Sequence, residues 1–241
     1  EIKLLINSII KTKKDQYVDK LFELVMNYKS DLNFLNYFKS EQERKEIYLC
    51  KRKLQKFVNN NKRINNILLS RNEKVLDILW FLDYELINRF KFVKNFIRKE
   101  KYLNHTLIFF KTLNSVINSI NLLEIRGRDS LGLMFSINLK NTNENISWVK
   151  KNLKSEKYIK VNKKNIIVNV IYKNCNIFGS LGDNSKTILK KIKNDHQIFK
   201  LLKSGIYENI NIIAHTRWAS VGQVDIGNTH PLVNVTESSN K

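Results

Sequence analysis

Proline is nearly absent from this chain. Pro231 is the only one, and of seven glycines none precedes Gly127. The first half therefore lacks the residues that most strongly interrupt regular structure. That absence speaks against a loop-rich or all-β first half with frequent tight turns. Cysteine is scarce as well. Cys50 and Cys175 are the only two, which excludes a disulfide framework, and neither stands in a CxxC or at Cys/His metal spacing. A reducing, cytoplasmic compartment fits this usage. No apolar run is long enough to cross a bilayer without charges, so no membrane association is expected. No secretory leader pattern stands at the start. Acidic residues are outnumbered, with 22 Asp and Glu against 43 Lys and Arg, for a net charge of +21.

That charge has two readings. One is a polyanion partner such as RNA or an acidic membrane surface. The other is a Lys/Asn-biased composition spread over solvated faces. Runs such as 59–63 and 150–157 are dispersed rather than gathered into an arginine-aromatic cluster, which favours the second. The apolar fraction of 42% suffices for a packed core.

Residues 1–111 read as helical. Leu21, Leu24, Val25 and Tyr28 recur at helical spacing, and so do Val75, Leu76, Leu79, Leu82 and Leu86,. The second set, with Trp80 and Phe81, is apolar around much of its circumference and is expected to be buried. Asp31 and Asn72 are candidate N-caps. Leu32–Tyr37 and Asn59–Asn65 are the expected connections in a bundle of four or five helices. His105, between Leu103 and Leu107, reads as structural.

The texture changes at residue 112. One more amphipathic helix, from Leu113 to Leu123, runs into Glu124-Ile-Arg-Gly-Arg-Asp-Ser-Leu-Gly132, with Gly127 as its left-handed C-cap. Leu131–Ile137 alternates as a strand. Asn138–Glu156 reads as a polar, mobile loop. Ile166–Tyr172 and Asn176–Gly179 read as a hairpin about Lys173-Asn174-Cys175. A helix capped by Asp183 or Ser185 follows, and then a strand at Ile210–Ala214. The order is α+β. Gly179-Ser-Leu-Gly182 lacks the following Lys-Ser/Thr of a phosphate loop. The last strand ends in His215, Thr216, Arg217 and Trp218, with a polar loop closing on His230-Pro231. A buried strand ending in several hydrogen-bonding side chains is a common way to build a site.

Three segments carry a resemblance: Leu122–Gly132, Ala214-His-Thr-Arg-Trp-Ala-Ser220 and Asn228-Thr-His-Pro231. In order and approximate spacing they resemble the L-x-Y/V-R-G-x-D-S-A-G, A-H-T-R-W-A-T/S and N-A-H-P elements of the class II glutamine amidotransferases, in particular the branch that aminates fructose 6-phosphate. The resemblance covers residues 112–241. It implies a four-layer αββα N-terminal-nucleophile hydrolase sandwich, here partial, that releases ammonia from L-glutamine without cofactor or metal. Ammonia then passes to a sugar isomerase domain not in this chain, which makes glucosamine 6-phosphate. The full-length protein is expected to be a homo-oligomer.

Carried over by position, Arg217 would hold the α-carboxylate of glutamine, which suits a planar guanidinium fork. Trp218 would wall the pocket, and Ser220 and His230 would support it. Arg126 and Asp129 would lie near the nucleophile. An ion-pair turn at Arg126–Asp129 and a surface cation–π pair at Arg217-Trp218 are the non-catalytic alternatives. The chain departs from the family in three ways. No cysteine stands at residue 1, Val221 replaces a frequent histidine, and no H-N-G element supplies an oxyanion hole. The nucleophilic cysteine is therefore expected upstream of Glu1, with residues 1–111 as a helical insertion and this chain alone inactive. A non-catalytic scaffold of the same fold, or a basic nucleic-acid-binding helical module fused to it, are the other functional readings.

Overall fold

The computed structural model describes residues 1–12, 14–61, 69–97, 102–154, 158–176, 179–218 and 222–232. The chain divides into two compact units, Glu1–Glu100 and Lys101–Lys241.

The first unit is helical. Among its described residues are α1 (Ile2–Thr12), α2 (Asp15–Met26), α3 (Asp31–Lys39), α4 (Glu41–Asn61), α5 (Leu69–Trp80) and α6 (Asn88–Ile97). Residues Leu32–Tyr37 are not a connection but the body of α3. Ser30, rather than Asp31, caps this helix by accepting from the Asn33 N–H, and Phe34, Leu35 and Tyr37 are buried beneath it,. Asn72 lies within α5 rather than ahead of it, so it is not at the capping position. Asn59–Asn61 close α4, while positions 62–65 of the expected connection lie outside the described residues. The core joins Ile6 and Ile9 to Leu21, Val25, Leu54, Ile78, Leu82 and Leu86.

One feature escapes helical periodicity. Between α5 and α6 the backbone widens into a π-helix over Phe81–Ile87. A π-helix closes i→i+5 bonds and shifts the apolar phase. Phe81, Leu82, Leu86 and Ile87 are turned inward. Leu76 and Trp80, expected to be buried, are about half exposed, and Trp80 stacks on Tyr84 at 5.8 Å.

The second unit is α+β. Helix α7 (Asn104–Leu123) is continuous through residue 112, and the division between units falls upstream of it. It has neither glycine nor proline to break it. Four strands then form one antiparallel sheet in the order β2-β3-β1-β4, from β1 (Ser130–Lys140), β2 (Tyr158–Val161), β3 (Asn165–Cys175) and β4 (Tyr207–Arg217). The expected strands at Leu131–Ile137 and Ile210–Ala214 are present and longer at both ends.

Two local expectations are corrected. The segment expected as a loop at Asn138–Glu156 contains the end of β1 and a helix, α8 (Asn143–Asn152). Thr142 caps α8 from Asn145 N–H, and Val149 is its buried anchor. Lys173-Asn174-Cys175 is no hairpin turn. It continues β3, pairing with Gly132, Leu131 and Ser130 of β1. The hairpin that exists joins β2 to β3 around Asn162–Lys164.

Helices α7, α9 (Asp183–Asn194) and α10 (His196–Ser204) pack on the sheet. Neither Asp183 nor Ser185 caps α9. Gly182 does so with φ 88°, a conformation that glycine adopts without a Cβ penalty,. Asp195 splits the long expected helix by capping α10 through Gln197 and Ile198 N–H groups. Burial alternates along β1, so that Leu131, Leu133, Phe135, Ile137 and Leu139 form the core face. Phe135 meets Phe109 of α7 at 5.0 Å and Tyr172 at 5.6 Å, both edge to face. On the other face of the pleat, Ile171, Met134 and Ile213 lie in one cross-strand row,. Ile213 is 49% exposed. Among the described residues no helix is long and apolar enough to cross a membrane.

Candidate functional site at the end of the central strands

The sheet's β1 and β4 begin and end at the same edge of the unit, and most of the singled-out residues gather there. Register places His215 opposite Gly132 and Arg217 opposite Ser130. The turn before β1 is stitched into this end. Arg128 bridges Arg217, Asp129 N–H donates to the Arg217 carbonyl at 3.1 Å, and Asn176 N–H donates to the Asp129 carbonyl at 3.0 Å. Buried Asn184 of α9 donates to the Arg128 carbonyl at 2.7 Å and accepts from Asn174. Glu124, also buried, accepts from Gly182 N–H and ties the turn to the start of α9.

Gly127 does not end α7 in the left-handed region. Its φ of −163° is extended, and α7 closes instead through a 3-10 turn at Glu124–Arg126. Glycine is needed at 127 for space. A Cβ there would stand 2.9 Å from Thr216 Oγ1 and 3.2 Å from Arg217 N.

The loop after β4 folds back over the sheet. Arg217 Nη1 donates to the Asn228 carbonyl at 2.8 Å. Asp225 accepts from the Asn228 backbone N–H at 2.7 Å and from its side-chain amide at 2.9 Å. Thr229, buried, donates its hydroxyl to the Asp225 carbonyl at 2.8 Å. The His230-Pro231 peptide is cis and rests on Gly132, where a Cβ would overlap the His230 carbonyl oxygen. The rings of His215 and His230 lie 5.0 Å apart. His215 is exposed on one side, and partial desolvation, then the proximity of His230 and Arg217, holds its imidazole below the ordinary pKa, favouring the neutral ring,.

Arg217, His230 and the Arg126–Asp129 turn thus converge at one end of the sheet. Arg126 itself is exposed at the turn. Trp218 is 64% exposed. Ser220 and Val221 lie outside the described residues. The loop also lines a cleft of about 510 Å³ with Ile171, Lys173, Lys191, Ile226 and Leu232, and Arg217 is not among its lining residues. No group of three or more His, Cys, Asp or Glu suited to a metal ion occurs among the described residues. His105 is structural in its surroundings, edge-on to Tyr207 at 4.8 Å, and burial lowers its pKa. Cys50 and Cys175 are free thiols.

Sequence reasoning gave no role to Gly132, Asn184 or Asp225. For Asp225 a signal existed: an Asp in a short loop with Gly227 two residues on is a turn composition, in which the Asp side chain accepts from backbone N–H groups just downstream. For Gly132 and Asn184 only the tertiary neighbours reveal the function. The cations at this end, with a guanidinium held in one orientation by a backbone carbonyl, are suited to a planar anion such as a carboxylate. Comparison of the chain with protein-family models, curated proteins and solved structures gave no match.

Proposed function

We propose that the second unit is part of a class II glutamine amidotransferase domain, with Arg217 as the clamp for the α-carboxylate of L-glutamine. One observation carries this reading. The three segments that resemble the family are far apart in sequence, yet Arg128–Gly132, His215–Arg217 and Asn228–Pro231 meet at one end of β1 and β4. A chance likeness of short strings would not require this. The sheet offers secondary support. Helices α7, α9 and α10 pack on it, as one helical layer of an αββα sandwich would,.

In this reading an N-terminal cysteine encoded upstream of Glu1 attacks the side-chain amide carbon of glutamine. The C–N bond breaks, ammonia leaves, and water hydrolyses the γ-glutamyl thioester to glutamate. Fructose 6-phosphate is the proposed ammonia acceptor, converted by a separate isomerase domain to glucosamine 6-phosphate. Arg217 contributes ground-state binding of the substrate's carboxylate end, so its loss should act on affinity before rate. In this reading the first unit lies within the insertion expected at residues 1–111.

The test is glutamine hydrolysis by the full-length product, with and without fructose 6-phosphate. Arg217→Ala should raise the glutamine KM by about two orders of magnitude, the scale of a lost bidentate ion pair. Arg217→Lys should recover little of it. Hydrolysis with unchanged KM in Arg217→Ala would remove the clamp assignment. Absence of hydrolysis by the intact full-length protein would favour a non-catalytic scaffold.

A further inference from the structure

We infer that Asp225 is the positioning residue for the Arg217 guanidinium, and through it sets the affinity for the substrate carboxylate. The inference rests on the clamp reading of Arg217.

Asp225 spends three acceptors on one turn. Its carboxylate takes the backbone N–H of Asn228 at 2.7 Å with one oxygen and the side-chain amide of Asn228 at 2.9 Å with the other. Its own carbonyl takes the Thr229 hydroxyl at 2.8 Å. Thr229 is 1% exposed, which anchors the far side of the turn. What the turn presents is the Asn228 carbonyl, and that oxygen receives Arg217 Nη1 at 2.8 Å. The peptide that carries this carbonyl is also tied by the Thr229 N–H, which donates to the Ile226 carbonyl at 3.3 Å, and the Asn228 amide donates to the Gln223 carbonyl at 3.3 Å. The two shorter bonds that the exposed Asn228 donates go to the Asp225 carboxylate, which makes it the main grip on the residue.

An arginine at the end of a strand has several rotatable bonds, and a flexible fork loses that freedom when it binds a carboxylate. Fixing the fork beforehand removes this cost from the binding step. Asp225 carries out that fixing at one remove. It need not touch the substrate.

The same relay explains why an acid is useful at a site otherwise rich in cations. Both carboxylate oxygens point at Asn228 donors, so the negative charge is engaged by the turn rather than presented to an incoming anion. An amide at position 225 could keep one acceptor for the Asn228 N–H but would meet the Asn228 side-chain amide with a donor.

The experiment measures the dissociation constant for L-glutamine on the full-length protein, in Asp225→Ala, Asp225→Asn, Asn228→Ala, Arg217→Ala and the Asp225→Ala/Arg217→Ala double variant. Asp225→Ala is expected to weaken binding about tenfold, the scale of one side chain's lost preorganisation. Asp225→Asn and Asn228→Ala each lose only one of the two grips and are expected to fall between it and the unsubstituted protein. In the Arg217→Ala background, Asp225→Ala should have no further effect, because coupled residues are not additive.

A purely structural role for Asp225 would instead give additive losses, which would overturn the inference. So would unchanged affinity in Asp225→Ala. Should that variant fail to fold, Asn228→Ala decides, since it leaves the backbone carbonyl in place. Full affinity in Asn228→Ala would then overturn the inference. Unchanged affinity in Arg217→Ala, or no glutamine binding by the unsubstituted protein, removes the clamp reading itself. A weakened Arg217→Ala beside a normal Asp225→Ala removes only the role of Asp225.

Discussion

The closing of the loop over the sheet is most directly tested by Gly132→Ala. Gly132 sits in the central strand β1, between Lys173 of β3 and His215 of β4. An added Cβ would overlap the His230 carbonyl oxygen and stand 2.6 Å from the carbonyl carbon and 3.0 Å from Pro231 Cδ. Two of these three neighbours are backbone, so no rotamer change relieves the clash. Strand β1 is hydrogen-bonded on both sides and cannot yield, so the turn must lift. Overpacking of this kind costs about 1–3 kcal/mol. Thr229, which is buried, must move with the turn, and its burial makes the upper part of that range the expected one. At roughly 3–4 °C per kcal/mol for a unit of this size, Tm should fall by about 6–12 °C. Lifting the turn also draws the Asn228 carbonyl away from Arg217, so glutamine affinity should fall with stability. Calorimetric unfolding and a glutamine titration check both. A Gly132→Ala protein that melts within about 1 °C of the parent and binds glutamine normally would refute the packing of the His230 turn on β1.

Two further outcomes follow from the second unit. Phe135→Ala removes a fully buried ring that contacts Phe109 and Tyr172 edge to face and should cost about 3–5 kcal/mol in urea unfolding. A loss under about 1 kcal/mol would contradict the central place of β1 in the core. The depressed pKa of His215 also has a definite sign. Its folded pKa lies below the ordinary value near 6.5, so just below that pH the unfolded chain binds more protons. The contribution to stability is complete above about pH 6.5 and is lost as pH falls through the interval down to the folded value. His105, held low by burial, acts in the same direction. Tm measured from about pH 7.5 to about 5.5 should therefore decline less steeply in His215→Gln than in the parent, and an identical slope would refute the assignment.

What the sequence discloses and what it hides divide along a physical line. The alternation Leu131, Leu133, Phe135, Ile137 is visible because β1 buries one face against helices and leaves the other less covered,. Lys173-Asn174-Cys175 looks like a turn because these residue types are poor strand formers, but propensity yields to pairing. Here the segment pairs with β1 at full register, and Lys191 Nζ donates to the Lys173 carbonyl at 2.6 Å. α8 hides for the opposite reason. It buries Val149 on a Lys/Asn-rich surface, so its signal is a cap, Thr142, and not an apolar stripe. In the first unit, Val75, Ile78, Leu79 and Leu82 take the buried stripe of α5 and its continuation, which leaves Leu76 and Trp80, one turn apart, on the opposite face, where Trp80 stacks on Tyr84,.

The candidate site shows the same division more sharply. Arg217 and His230 stand out because each lies in a short string whose residue types already suggest chemistry. Gly132 and Asp225 do not, since their importance comes from one approach that the sequence cannot display: a loop returning across the end of β1. That approach constrains the pair together. Only a residue without a Cβ at 132 lets the His230 turn settle on the strand, and only a settled turn lets Asp225 aim the Asn228 carbonyl at Arg217. Gly132 and Asp225 should therefore be energetically coupled although no contact joins their side chains. Substituting both should weaken glutamine binding by less than the product of the single effects, because a turn already lifted by the Gly132→Ala substitution leaves Asp225 nothing to aim.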